Sequence, residues 1–508
     1  MKKKILFCFV LLLNSFLFSV TESTNNVSET KKINEDLDTL KTYLTQCWVG
    51  YDEAVQKGFN IDKCIRKIRA DYKLINFKHK HQKKDDVYYN GINNTAMTSA
   101  ISRNLSKYLP EENKDEHFGI TGEINYGSIY PRLFQFYTNI FLEYLDGKYI
   151  VCKSDMKEIP IGSIYTDNPE NVLPWIQDGK QIFRLGIKQA YYYETTKLNF
   201  NGKDIEVKVT YINNFNKIEN HIGYLDTDNS IYVSLSDCYL AVEDKDKHEK
   251  LENEFEEILN KICENNYKKY LILDLRGNGG GYSSYPEQIL SSYFYGNDKV
   301  KARNFYNYLK VFDYGSVELD SLEIAKRKYE YTLEKKGFPD RWVNSAFEHY
   351  QELLKSPKRV YNGLEFLPMG QLPQIKTKDY NGKVIILMNT ETGSASEYGI
   401  AVSYFEDKDS VILIGEKTSG RIDFGGKYDY ILPNSKVIIS LCTIDYRKIA
   451  GLAHNSHWHG DTLGFYPDYY ATDENLLDTI VYVTQDKELT HVLNGIEKQL
   501  LPYRLNGN

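Results

Sequence analysis

Residues 390–399 read Thr-Glu-Thr-Gly-Ser-Ala-Ser-Glu-Tyr-Gly, a run of small and hydroxylated side chains between the apolar stretch Val384–Asn389 and a segment with helical spacing. A hydroxyl on a strand-to-helix turn is placed to act as a nucleophile. Ser394, with Glu397 three residues on, is equally placed to cap the helix, so the turn alone leaves both roles open. A second stretch bears on the choice. Leu271–Gly281, LILDLRGNGGG, sets Gly277, Gly279, Gly280 and Gly281 just past a buried-strand pattern. Glycine there lets the backbone come close to a ligand and turn its N–H groups toward an anion. The run lacks both the spaced GxGxxG and the Gly-Lys-Ser/Thr of nucleotide sites, which argues against dinucleotide or ATP binding. What fits is an oxyanion hole, in which backbone donors face the charge that develops on a carbonyl oxygen during acyl transfer.

Such a hole needs a nucleophile opposite it, and the surrounding elements can supply one. Strand patterns at 231–235, 270–275, 384–389, 411–415 and 436–441 alternate with helical ones, among them a helix whose face carries Leu251, Phe255, Ile258, Leu259 and Ile262. That alternation predicts an α/β domain over 225–490 with a mostly parallel sheet. In such a sheet the loops at the carboxyl ends of neighbouring strands converge, so the turn after 270–275 and the turn after 384–389 can face each other. Helical spacing predicts an N-terminal helical domain over 30–125, and short strand-like runs broken by Gly and Pro predict a small β-rich module over 128–215. Residues 300–375, charged and helical, read as an insertion placed to cover the site or to contact another subunit.

Composition narrows the partners. The chain has 508 residues and a net charge of −7, and its basic run Lys78–Lys84 meets Asp85 and Asp86 at once. This argues against nucleic acid and reads as a solvated loop. Three lysines followed by the apolar stretch Ile5–Val20 read as a signal peptide over 1–22, implying a secreted, periplasmic or cell-envelope protein with no integral membrane domain after the signal. Beyond Cys8, six cysteines are scattered without the close pairs of a zinc site, so no metal or other cofactor is expected, and Cys47 with Cys64 is the one sequence-local disulfide candidate. Oligomeric state stays open.

DLRGNGGG, then GSASE, then GEKTSG at 415–420 and GFYPD at 464–468, taken in that order, resemble the C-terminal-processing, or tail-specific, serine peptidase family, in a variant similar to its tricorn-like and retinoid-binding-protein-like branch. The resemblance implies a ClpP/crotonase-like core, a PDZ-like role for the β-rich module, and polypeptide substrates hydrolysed through a serine acyl-enzyme. It makes Ser394 the nucleophile, with Ser396 a helix-side neighbour, and Ala395 and Gly280 the oxyanion-hole donors. Many members use a lysine base, but Arg421 stands at that position here, and a guanidinium does not deprotonate. Lys417 and Lys427 flank it. Asp115-Glu116-His117 resembles the Asp-x-His of several members and makes His117 the preferred base, with Asp461 of HGDTLGFYPD as its orienting acid. His454, His457 and His459 lie beside Asp461 as further base candidates. The loss of the lysine equally suits a non-catalytic binding protein on the same scaffold, and a crotonase-like acyl-CoA enzyme would share the oxyanion logic without needing the serine.

Overall fold

The computed structural model describes residues 29–82, 86–110, 114–123, 125–130, 132–212, 221–238, 245–298, 315–334, 340–362, 382–406, 408–449, 452 and 455–491. The signal-like segment and His454 lie outside them. The chain divides into two compact units, one of Met1–Tyr130, Val317–Tyr361 and Phe424–Asp445, the other of Pro131–Ser316, Asn362–Asp423 and Tyr446–Asn508.

The second unit is built on one mixed sheet of thirteen strands. Its parallel part runs Tyr469–Tyr470, Val411–Gly415, Lys383–Met388, Tyr270–Asp274 and Ser230–Leu235, in that spatial order, with Ile222–Asp226 antiparallel at the edge. Strands buried on both faces must be apolar almost throughout, which is why YLIL and VIILM are unbroken hydrophobic runs. The helices Lys245–Asn265, Ser284–Tyr295 and Ala395–Glu406 cover one face, and Leu251, Phe255, Ile258 and Ile262 enter that core with Leu259 packed against it. The β-rich module continues the same sheet, because Trp175 of Val172–Gln177 pairs in parallel with Tyr470.

The N-terminal part of the first unit holds four helices, residues 29–47, Tyr51–Gln56, Ile61–Gln82 and Asn94–Tyr108, and the unit also contains a separate six-stranded sheet. Three expectations change here. The run KVIISL does not extend the parallel sheet: Ile438–Asp445 forms a hairpin with Phe424–Ile431 and pairs with Gly119–Thr121, all antiparallel. No helix separates it from the preceding strand, and a tight hairpin can join only antiparallel strands. The basic run expected as a loop begins as the last turn of Ile61–Gln82, where cations complement the carbonyl end of the helix dipole, and His79 reaches Asp86 at 2.9 Å. From the expected insertion, the strands Val317–Ser321 and Lys358–Asn362 join this second sheet, and the helices Leu322–Glu334 and Asp340–Leu353 lie between them in sequence. Cys47 and Cys64 are buried free thiols, both pushed up to about 12 by burial. Among the described residues no helix is long and apolar enough to cross a membrane.

Candidate active site

The two turns expected to face each other are stitched together within the second unit. Their strands run in parallel register, Leu273 beside Ile386 and Asp274 beside Leu387, so both chains leave the sheet at the same end. Beyond it, Leu275 N–H donates to Leu387 O (2.9 Å), Gly277 N–H to Asn389 Oδ1 (2.9 Å), Thr392 Oγ1 to Leu275 O (2.8 Å) and Gly393 N–H to Asn278 O (2.9 Å). Asn389 and Thr392 thus use side chains to replace the ladder that the strands have left. Buried polar groups placed this way must be paired, and the pairing fixes the turn.

Ser394 sits at φ +54°, left-handed backbone that a non-glycine residue adopts at a cost of about 1–2 kcal/mol. It opens the helix Ala395–Glu406, and its N–H donates to Glu397 Oε2 (3.0 Å), the reciprocal half of a capping box. The turn therefore does cap a helix, and its Ser also stands on a strained strand-to-helix elbow of the kind that exposes a nucleophile. Gly280, at φ +107°, approaches so closely that a Cβ there would lie 2.6 Å from Ser394 Cβ and 2.9 Å from Ala395 N. Only glycine permits that contact. As the first helical residue, Ala395 has an N–H with no intrahelical acceptor. Gly280 differs from expectation in one respect: its own N–H donates to Asn278 Oδ1 (3.0 Å). Next to it, Gly281 is exposed at φ +135°, and among the described residues its N–H meets no acceptor.

Glu397 holds the nucleophile turn against the loop after Val411–Gly415. Fully buried, its carboxylate receives Ser394 N–H, Gly420 N–H (2.8 Å), Arg421 N–H (2.7 Å) and the Thr418 hydroxyl. Burial raises its carboxyl above the ordinary range, and the four donors oppose that shift. The Ser419 side chain and the Arg421 stem pack beside Gly393, where a Cβ would meet Ser419 Oγ at 2.3 Å and Arg421 Cδ at 3.4 Å.

The other sequence candidates fall as follows. Lys417 is fully buried and its ammonium donates to Thr418 O (2.8 Å), Thr462 O and Leu463 O (both 3.3 Å). Through these three carbonyls Lys417 acts as a tie between the two loops. Lys427 belongs to the first unit, where it pairs with Asp429 at 3.5 Å. Asp461, in the second unit, is buried and exchanges two hydrogen bonds with Asp423, accepting its N–H at Oδ1 and donating its own N–H to Oδ2, each at 2.9 Å. His457 stacks on Tyr404 and lies 3.6 Å from Asp468, while His459 stacks on Tyr466 and is lowered from the ordinary histidine range, first by burial. His117 lies in the first unit, half-buried, its N–H on Asp115 Oδ1 (2.9 Å).

Residues 232–470 match the model of peptidase family S41. Over this stretch the chain is similar to peptidase family S41. It is a serine peptidase, and its substrates are polypeptides. Among solved structures, mature CPAF complexed with lactacystin is similar at 11% identity and a TM-score of 0.37, over 94% of this chain and 99% of that one. The photosystem II D1 C-terminal processing protease is similar at 12% identity and a TM-score of 0.30, over 88% of this chain and 94% of that one. No curated protein matches the chain. Sequence reasoning overlooked Asn278, Asn389, Thr392 and Thr418, whose roles appear only once strands remote in sequence lie side by side; Glu397 was signalled by its spacing from Ser394.

Proposed function

We propose that the chain is an exported C-terminal-processing endopeptidase that cleaves peptide bonds through an acyl-enzyme on Ser394. The observation that carries this reading is the close approach of Gly280 to a Ser394 held at positive φ, with the N-terminus of a helix directly behind it. Ser394 Oγ attacks the scissile carbonyl, its proton passes to a base and then to the leaving amine, and water hydrolyses the ester. The developing oxyanion is met by Ala395 N–H and by Gly281 N–H, which takes the role first given to Gly280 because Gly280 N–H is engaged by Asn278. The family resemblance supports His117 as the base, with Asp461 as its orienting acid. Export is supported by the lysine-led apolar N-terminus.

A fluorophosphonate probe tests the reading. It should label the parent chain at Ser394 and leave Ser394→Ala unlabelled, with casein cleavage lost in the same variant. Labelling of the variant as fast as the parent would overturn it.

A further inference from the structure

Asp115 is fully buried, and the groups that face its carboxylate are all neutral. His117 N–H donates to Oδ1 (2.9 Å), the Trp48 indole N–H to Oδ2 (3.3 Å), and the Cys442 thiol to Oδ1 from 3.6 Å. Among the described residues no lysine or arginine pairs with it. A carboxylate taken out of water without a counter-charge is costly. A bound cation would remove the cost.

The neighbours of this carboxylate have the chemistry to bind such an ion. One ligand atom each from Asp115, His117 and Cys442 lies within 4.8 Å of the others. Four-coordinate zinc, with bonds of about 2.0–2.3 Å, needs donors roughly 3.3–3.8 Å apart, so modest side-chain rotation closes the gap. The residues that would supply the donors are anchored: Phe118 N–H donates to Asp115 O (2.9 Å), and Cys442 sits within the strand Ile438–Asp445 with its carbonyl accepting Val49 N–H (3.0 Å). One oxygen, one imidazole nitrogen and one sulfur form a mixed set that suits zinc, whereas magnesium and calcium call for oxygen alone. We propose that Asp115, His117 and Cys442 form a three-ligand site for a zinc-class divalent cation. On binding, the Cys442 thiol proton that now points at Asp115 leaves to solvent, the thiolate and the imidazole lone pair bond to the metal, and no electron is transferred. His117 is partly exposed, which gives the ion a route in. Resting on the reading of His117 as the base, occupancy withdraws its lone pair and switches the peptidase off.

Cobalt(II), a spectroscopic stand-in for zinc, tests the site in the full chain. Titration should raise a near-ultraviolet thiolate-to-cobalt band that saturates at one equivalent and is displaced by zinc. Cys442→Ser should abolish the band, and Asp115→Asn should weaken zinc binding at least tenfold against a chromophoric chelator. Should Cys442→Ser fail to fold, His117→Ala, at a partly exposed position, carries the same test through loss of affinity. Absence of the band in the parent, or a band indifferent to these changes, overturns the proposal. Casein cleavage is then followed with zinc and after adding EDTA. A cobalt band that depends on Cys442, together with cleavage indifferent to zinc, leaves the metal site standing and removes His117 as the base.

Discussion

Two turns, one in each unit, bury a carboxylate, and they treat it differently. Around Glu397 every donor is close: three backbone N–H groups at 2.7–3.0 Å and a hydroxyl. Around Asp115 one backbone N–H, of His117, is close at 2.9 Å, while the side-chain donors, an indole at 3.3 Å and a thiol at 3.6 Å, are longer and weaker. The first carboxylate is satisfied by the fold and so works as a structural clasp. The second is not, and its neighbours are metal-ligating side chains. Burial alone therefore does not assign a role; the quality and chemistry of the donors do.

The largest expected effect is at the group the clasp positions. Ser394→Ala should reduce casein cleavage by about 10⁶-fold while circular dichroism stays unchanged. Next comes the clasp itself. Glu397→Gln turns one carboxylate oxygen into an NH₂ that must face either Ser394 and Arg421 N–H or Gly420 N–H and Thr418. Leaving buried donors unmatched should cost about 2–4 kcal/mol in denaturant unfolding and slow probe labelling; a variant as stable as the parent would break the comparison on its first side.

A third buried carboxylate grades the scale. Glu416 has one hydroxyl donor, Tyr137 (2.9 Å), and is pushed up to about 7 by burial, with Lys417 opposing the shift. Because the folded form holds its proton more tightly than the unfolded form, whose pKa is near 4.5, this contribution is fully present below that value and is lost as pH rises through about 7. The loss should be on the order of 3 kcal/mol. Urea midpoints measured between pH 4.5 and 8 should fall in the parent and fall less in Glu416→Gln. The smallest effect is expected for Asp115→Asn without metal, within about 1 kcal/mol, since it removes a poorly satisfied charge and loses one long hydrogen bond. A cost as large as that of Glu397→Gln would break the comparison on its second side.

Much of this was legible locally. The unbroken apolar runs gave the central strands, and the glycines after Asp274 with the serine before a helix gave the two turns that lie together, because each depends on residues close in sequence. KVIISL was misassigned because an apolar strand of six residues looks the same in a parallel sheet and in a hairpin, and the intervening chain decides. Lys78–Gln82 was misread because charge alone does not distinguish a loop from the last turn of a helix. The cluster of Asp115, His117 and Cys442 had no sequence signal, since metal-site spacing can be read only when ligands share a segment, and here a sheet pairing of Gly119–Thr121 with Ile438–Asp445 brings their neighbourhoods together.

The pairing of Tyr470 with Trp175 has a consequence for how the β-rich module can be handled. It is hydrogen-bonded into the peptidase sheet, and Arg184–Glu474 at 2.8 Å and Asn475 Nδ2 on Ile176 O at 3.1 Å fasten the same seam. It is a fixed wall and not a bead on a tether. Excising residues 132–212 would leave Tyr469–Tyr470 as a bare sheet edge, a template for pairing with another chain, so the truncated peptidase should self-associate more than the intact one.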